Sequence, residues 1–135
     1  MERTAPSPGH LSDAFYAGCR EGRLLLQHCV ACNQWQFYPR IVCSHCGSRE
    51  LAWGEAEGRG VIASFTVVRH PVSTAYTAPY VVALVDLAEG PRMMSHVVHC
   101  DPGDVAVGLA VTVDFEGWSD SLTMPVFKLD SVTAA

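Results

Sequence analysis

In this 135-residue chain, the cysteines are the residues whose type and spacing most clearly indicate a chemical role. Four of the six form two C-x-x-C pairs with ten residues between the pairs, namely Cys29, Cys32, Cys43 and Cys46. Two intervening residues let both sulfurs of a pair reach one ion about 2.3 Å away, and two pairs on a hairpin complete a tetrahedron. The spacing therefore predicts a four-thiolate zinc site, although the stretch between the pairs is shorter than usual. Iron is the alternative, because the same four ligands accept it.

This predicted site is structural rather than catalytic. Four thiolates fill a tetrahedral shell, so no position remains for a water molecule or a substrate. We expect the neighbouring His28 and His45 to be exposed and not to replace a cysteine. Each cysteine knuckle must curl its backbone towards the sulfurs, which favours a residue tolerant of positive φ after the second cysteine. Asn33 and Gly47 occupy these two positions.

A second group of reactive residues consists of His96, His99, Cys100 and Asp101. On a strand His96 and His99 would point to opposite faces, and a nucleophile needs a base within hydrogen-bond reach. We therefore interpret Cys100 as a residue at the end of a strand and predict no catalytic residue. The chain also lacks a G-x-S-x-G, H-E-x-x-H or Gly-rich phosphate-binding motif. A small thioester hydrolase that uses this group is the weakest hypothesis.

The net charge of −5 argues against a general nucleic-acid binder, which needs a basic surplus to neutralise phosphates. The apolar runs have the length of strands and are too short to span a membrane. The N-terminal MERTAPSPGH lacks the apolar segment of a secretory signal, so we expect a cytoplasmic protein whose cysteines bind metal. Around the knuckles lies an acid-free stretch with basic and aromatic residues: Arg23, Trp35, Phe37, Tyr38, Arg40 and Arg49. These side chains either stack an adenine and pair with phosphates, or dock against a partner protein, or simply pack between the ribbon and the rest of the protein.

The elements that would position these residues follow from local patterns. A helix is predicted over residues 12–21, with Ser12 as its N-cap, Gly22 as its stop, and Leu11, Phe15 and Cys19 as a buried stripe. A strand-like segment, 34–38, separates the knuckles. Further on, a strand is predicted in which Val61, Ala63, Phe65 and Val67 face one way while Ser64 and Thr66 face the other. Four more strands are predicted at 80–87, 92–99, 111–116 and 124–129. The predicted fold is mainly β: a tail and short helix (1–22), a rubredoxin-like zinc ribbon (23–50) and a five-stranded OB-fold barrel (51–135).

The order of these features resembles a known family. It runs from FYAGCREGRLLLQHC through the knuckles, YPR, CSHCGS, LAW and GRGVIASFTVV to PYVVALV, EGPR and residues 108–115. Together these segments resemble the rubredoxin-like zinc-ribbon plus OB-fold, acyl-CoA-associated proteins over nearly the whole chain. The four cysteines match that family's zinc ligands, whereas Asn33 stands where glycine is common.

The resemblance implies a small companion subunit of a thiolase-like enzyme: a thiolase, a CoA-thioester aldolase or an acyltransferase. It also implies an enoyl-CoA hydratase or a ketosynthase-like protein as further partners, a hetero-oligomer, structural zinc and a CoA thioester as ligand. In such assemblies the partner supplies the catalytic cysteine and the small subunit supports or lines the acyl-thioester site. A different hypothesis is a module that binds single-stranded nucleic acid, since zinc ribbons and OB barrels both serve that purpose.

Overall fold

The described residues fold into one short α-helix, a small three-stranded sheet and a closed five-stranded barrel. The computed structural model describes Arg3 and residues 9–130. Most of the predicted N-terminal tail and the last five residues of the predicted barrel segment lie outside the described residues. Within the described part the predicted fold class is confirmed. None of the helices in that part has the length and apolarity needed to cross a membrane.

The helix packs on the barrel through one apolar face. Helix α1 spans Asp13–Arg20, follows a 3-10 turn at His10–Ser12, and ends before Gly22, whose φ is +74°. Phe15 and Cys19 are buried as predicted, but Leu11 is 41% exposed. The prediction for Leu11 was wrong because this residue lies in the 3-10 turn, where the spacing of the α-helical stripe does not hold.

The N-cap of α1 also differs from the expectation. Ser12 stands at the N-cap position, but its side chain makes no capping hydrogen bond. Its hydroxyl instead donates to the backbone oxygen of Gly9 at 3.2 Å. The 3-10 turn before the helix explains the difference, since it directs the Ser12 side chain back along the chain rather than towards the first free N–H groups.

The ribbon sheet has the strand order β2-β1-β3. Its strands are β1 (Leu25–Cys29), β2 (Trp35–Gln36) and β3 (Leu51–Glu55), all antiparallel to their neighbours. The predicted strand over 34–38 is confined to two residues, and β3 was not predicted. Because β3 pairs with β1, the ribbon sheet extends beyond residue 50. The division of the chain at residues 22 and 50 stays a prediction.

The barrel closes in the order β4-β5-β6-β8-β7, with β7 pairing back to β4. Only the β6–β8 pair is parallel among the described strands. Val85, Val111 and Phe127 are fully buried in its interior. The barrel strands are β4 (Arg59–Val68), β5 (Tyr80–Leu87), β6 (Arg92–Val97), β7 (Ala110–Gly117) and β8 (Thr123–Leu129).

A β-bulge in β4 changes the predicted alternation. The register with β5 shifts between Ile62 and Ser64. The inward-facing side chains therefore fall on even-numbered residues on one side of the bulge and on odd-numbered residues on the other. Ile62 is 1% exposed, whereas Val61 is 44% exposed and does not share the inward face of Phe65. The prediction that Val61 faces the same way as Phe65 was therefore wrong. Period-two alternation cannot locate an inserted residue, because the residues on both sides of it remain apolar.

Candidate functional site

The four knuckle cysteines converge at one end of the ribbon sheet. Their Sγ atoms all lie within 4.8 Å of one another. The Cys29–Cys46 and Cys32–Cys43 sulfur pairs are each 3.6 Å apart. A tetrahedron with metal–sulfur arms of about 2.3 Å has edges of about 3.8 Å, so the donor set fits a zinc ion. The four cysteines therefore form a zinc-ribbon site of the structural kind, with every tetrahedral position taken by a protein ligand.

The two knuckles have the same backbone geometry. Asn33 and Gly47 adopt positive φ values of 64° and 78°, as predicted. The Asn33 N–H donates to the Cys29 carbonyl at 2.8 Å, and the Gly47 N–H donates to the Cys43 carbonyl at 2.9 Å. Each turn directs a further N–H towards a sulfur, with Cys32 N 3.5 Å from Cys29 Sγ. These donors favour the thiolate form of the sulfur that a metal binds.

Metal binding to the cluster is coupled to the loss of protons from its thiols. Burial raises the pKa of Cys32 to about 12. For Cys43 burial acts in the same direction, but hydrogen bonds from the N–H groups of Cys46 and His45 and from the Cys32 and Cys29 thiols outweigh it and lower the pKa of Cys43 to about 6. Four thiols at this separation share their protons because like charges cannot accumulate unopposed. A divalent ion removes that restriction, so metal binding releases protons from the remaining cysteines.

The histidines beside the ligands do not enter the cluster. His45 is exposed. The His28 Nε2 atom lies 2.7 Å from Asn33 Oδ1, and its ring centroid lies 4.8 Å from that of Trp35. Gly54 allows this arrangement, since a Cβ there would come within 2.7 Å of the Trp35 ring. His28 thus supports the first knuckle through Asn33.

A buried glutamine pair holds the second knuckle and was not among the predicted site residues. Gln27 and Gln36 face each other across β1 and β2 and are only 6% and 4% exposed. The Gln36 amide donates to Gln27 Oε1 at 2.6 Å, and Gln36 Oε1 accepts from the Ser44 N–H at 2.8 Å. Gln27 bonds both the N–H and the carbonyl of Arg40. The available signal was a glutamine on each strand that flanks the first knuckle.

The predicted contact residues separate into different environments. Arg23 forms salt bridges with two glutamates: its Nε lies 2.7 Å from Glu55 Oε1, and its guanidinium also contacts Glu21. Trp35 packs over Gly54, whereas the Arg40 side chain is exposed. These residues therefore do not form one surface for stacking an adenine beside phosphate-binding arginines, and their role as contacts stays a prediction.

Phe37 and Tyr38 turn instead towards helix α1. Their rings pack edge-to-face on each other with centroids 5.4 Å apart, and Phe37 packs on Phe15 at the same distance. With Tyr16 they form an aromatic wall opposite the outer face of the barrel. Between the two lies a groove of about 240 Å³, and its barrel side includes Val82, Met94, His96, Trp118 and Met124. We call this cavity the apolar groove.

The second reactive group does not form a catalytic pair. Strand β6 ends at Val97, so the predicted strand to residue 99 was too long, and His99 lies beyond it at a φ of 57°. Among the described residues no hydrogen bond joins Cys100 to either His96 or His99. Burial, with Asp104 and Asp101 adding to it, raises the pKa of Cys100 and makes it a weaker nucleophile at neutral pH.

Both halves of the chain are similar to known protein families. Residues 17–52 match the family described as the ChsH2 rubredoxin-like zinc ribbon domain, and residues 53–116 match the ChsH2 C-terminal OB-fold domain. A solved structure named Ltp2-ChsH2(DUF35) aldolase is similar, with 34% identity and a TM-score of 0.86. That similarity covers 93% of this chain and 98% of the matched one.

Two curated relatives extend the comparison. A probable enoyl-CoA hydratase alpha subunit of Thermomonospora curvata is 35% identical over 93% of this chain, and the chain spans 40% of that relative's length. A DUF35 domain-containing scaffold protein of Methanothermobacter thermautotrophicus is 37% identical over 64% of this chain and 67% of its own length. With its zinc-ribbon and OB-fold halves both matched in order, the chain belongs to the ChsH2 (DUF35) family.

Proposed function

We propose that this chain is a non-catalytic, zinc-binding subunit that associates with a thiolase-like enzyme and supports or lines its acyl-thioester site. The observation that carries the proposal is the similarity to the Ltp2-ChsH2(DUF35) aldolase over 98% of the matched chain. An enoyl-CoA hydratase is a second partner class, because the Thermomonospora relative is named as a subunit of such an enzyme. A CoA thioester as ligand and a cytoplasmic location belong to the same proposal.

The chemistry of the chain supports a non-catalytic role. The metal site is closed by four sulfurs, so it offers no position for a Lewis-acid step. Cys100 has a raised pKa and no histidine bonded to it within the described residues. A partner enzyme would therefore supply the reactive groups, and this chain would supply surface and shape.

The ribbon supplies a surface suited to a partner. Residues 38–42 lie between β2 and Cys43, and all of them except Pro39 are exposed. Ile41 is 61% exposed and Tyr38 43%, with the Arg40 side chain between them. A short apolar and basic segment held by the glutamine pair is typical of an interface anchor, since such side chains dominate binding energy where the backbone is already ordered.

The proposal is tested by co-expressing the chain with a thiolase-like protein encoded beside it and measuring complex formation by size-exclusion chromatography with light scattering. We expect a hetero-oligomer with the wild-type chain and a loss of affinity of about tenfold or more for Ile41→Asp. Cys43→Ser should release zinc and abolish association indirectly, because small ribbons draw folding energy from their metal.

Val72→Asp is the matched control, since Val72 is 84% exposed and belongs to the β4–β5 loop rather than to the ribbon. Absence of a complex under every substrate condition would refute the proposal. Equal association of the Ile41 and control variants would remove the ribbon from the interface. Mixed single-stranded oligonucleotides should not bind, and salt-sensitive binding of them would favour the nucleic-acid hypothesis instead.

A further inference from the structure

The apolar groove lies on the face that OB barrels commonly use for ligands. In such barrels ligands bind over the second and third strands, between the loops that follow the first and fourth strands. Here these strands are β5 and β6, and the loops are residues 69–79 and 118–122. Val82 of β5, His96 of β6 and Trp118 of the second loop all line the groove. Helix α1 and the ribbon supply the opposite wall, so a face that is open in a bare barrel is narrowed here to a groove.

The lining of the groove is uncharged and adaptable. It contains no Asp, Glu, Lys or Arg, and it includes three of the chain's four methionines. Methionine fits irregular apolar ligands because its unbranched side chain changes shape easily. The facing wall is rigid by comparison, since Phe15 packs on the rings of both Tyr16 and Phe37. One firm aromatic wall and one adaptable wall suit a flexible hydrocarbon chain.

Polar groups in the groove are few and neutral. Burial raises the pKa of Tyr16 to about 12, with Tyr38 adding to the effect, so the hydroxyl keeps its proton. Burial, followed by the charge of Arg3, lowers the pKa of His96, so the imidazole is neutral at pH 7. No hydrogen bond joins the His96 ring to another residue in the described part of the chain. Ser95, next to it, already donates to the Pro125 carbonyl at 2.8 Å.

The charges nearby do not suit a phosphate ligand. Arg3 stacks over Tyr76 and Trp118 at the end of the groove, but its guanidinium is paired with Glu116 at 2.8 Å. A nucleic acid on this face would need unpaired cations along its backbone. The groove therefore favours an uncharged ligand that carries at most one or two hydrogen-bonding atoms.

We propose that the apolar groove binds the acyl portion of a thioester, with an oxygen on the acyl chain hydrogen-bonded to the His96 ring. The phosphates and adenine of a CoA carrier stay outside the groove. The choice of an acyl group rests on the proposed function, whereas the preference for an uncharged apolar ligand rests on the lining alone.

The experiment uses the zinc-loaded full chain and three N-acetylcysteamine thioesters, with acetyl, octanoyl and 3-hydroxyoctanoyl groups. Isothermal titration calorimetry should show that octanoyl binds at least about tenfold more tightly than acetyl, because burial of each methylene adds to affinity. The 3-hydroxy form should bind more tightly than octanoyl. His96→Phe should abolish that preference and retain octanoyl binding, since it removes only the hydrogen bond. CoA without an acyl group should not compete.

A charge in the groove provides the second variant. Met94 is 68% exposed, so Met94→Glu should fold and should weaken octanoyl binding about tenfold or more. Val107→Glu is the matched control, because Val107 is 63% exposed and does not line the groove. Equal affinity for octanoyl and acetyl, or equal binding by the Met94 and Val107 variants, would overturn the inference. Displacement of the octanoyl probe by a single-stranded oligonucleotide would overturn it as well.

Failure of this inference and failure of the proposed function are distinguishable. Met94→Glu should leave association with the thiolase-like partner unchanged, whereas Ile41→Asp should weaken association and leave octanoyl binding unchanged. If the chain binds octanoyl but forms no complex with a thiolase-like protein under any condition, the proposed function is contradicted and the groove remains a ligand site. A partner complex formed by a chain that does not bind octanoyl would contradict only the inference.

Discussion

Replacement of Gln36 by alanine should loosen the second zinc knuckle. Gln36 makes two good hydrogen bonds, to Gln27 Oε1 at 2.6 Å and from the Ser44 N–H at 2.8 Å, and a longer one to the Val42 carbonyl at 3.3 Å. Val42 and Ser44 are exposed, so water replaces part of the hydrogen bonding that their backbone groups lose in the variant. At about 1 kcal/mol net for each good bond, the variant should lose about 2 kcal/mol.

The loss of free energy should lower the zinc affinity, because residues 38–44 include the ligand Cys43. Supporting residues around a metal site typically change affinity by about 10- to 100-fold, and a loss of 2 kcal/mol corresponds to about 30-fold. We therefore expect Gln36→Ala to bind zinc about 30-fold more weakly, measured by competition with a chromophoric chelator. The melting temperature of the zinc-loaded chain should fall in parallel.

Gln34→Ala is the control for this experiment. Gln34 is an exposed glutamine of the same ribbon, and its backbone oxygen accepts from the Cys29 N–H at 2.8 Å. Its side chain makes no hydrogen bond to the described residues. Its substitution should leave zinc affinity within about twofold of wild type. If Gln36→Ala retains zinc as well as Gln34→Ala does, the glutamine pair does not position the knuckle and the reasoning is wrong.

Two further predictions concern side chains outside the metal site. Iodoacetamide at about pH 8 should modify Cys100 faster than Cys19. Burial raises the pKa of both thiols, but Cys100 is only partly buried, whereas Cys19 has a pKa of about 11 and is 1% exposed. Mass spectrometry checks this, and faster labelling of Cys19 in the folded chain would contradict it. His96 has a pKa lowered by burial, so the unfolded chain binds its proton more readily and the free energy of unfolding should fall as the pH drops below about 6.5. Urea titrations should show a weaker decline for His96→Gln, and identical slopes would contradict the assignment.

Much of the zinc site could be predicted from local sequence alone. The two C-x-x-C pairs identify the ligands because each knuckle is a short turn whose geometry depends on adjacent residues. The positive φ values of Asn33 and Gly47 follow from the same local constraint. The glutamine pair could not be predicted from local sequence, because Gln27 and Gln36 become partners only through the register of β1 and β2.

The barrel shows a similar limit. Its five strands are visible as apolar segments between turns, and their number suffices for a closed barrel. The β4 bulge and the early end of β6 were not visible, because both depend on pairing with neighbouring strands rather than on residue type. A shift of one residue is enough to turn Val61 outwards.

The sequence by itself determined the metal ligands, the order of ribbon and barrel, and the strand-rich class of the fold. Only the tertiary structure decided that Phe15 and Phe37 face Met94 and His96 across a groove, since these residues come from a helix, a ribbon and a barrel strand. It also separated Arg23 from that surface by pairing it with acids. The physical reason is that ligand spacing within a turn is a local property, whereas a groove exists only once distant elements have packed against each other.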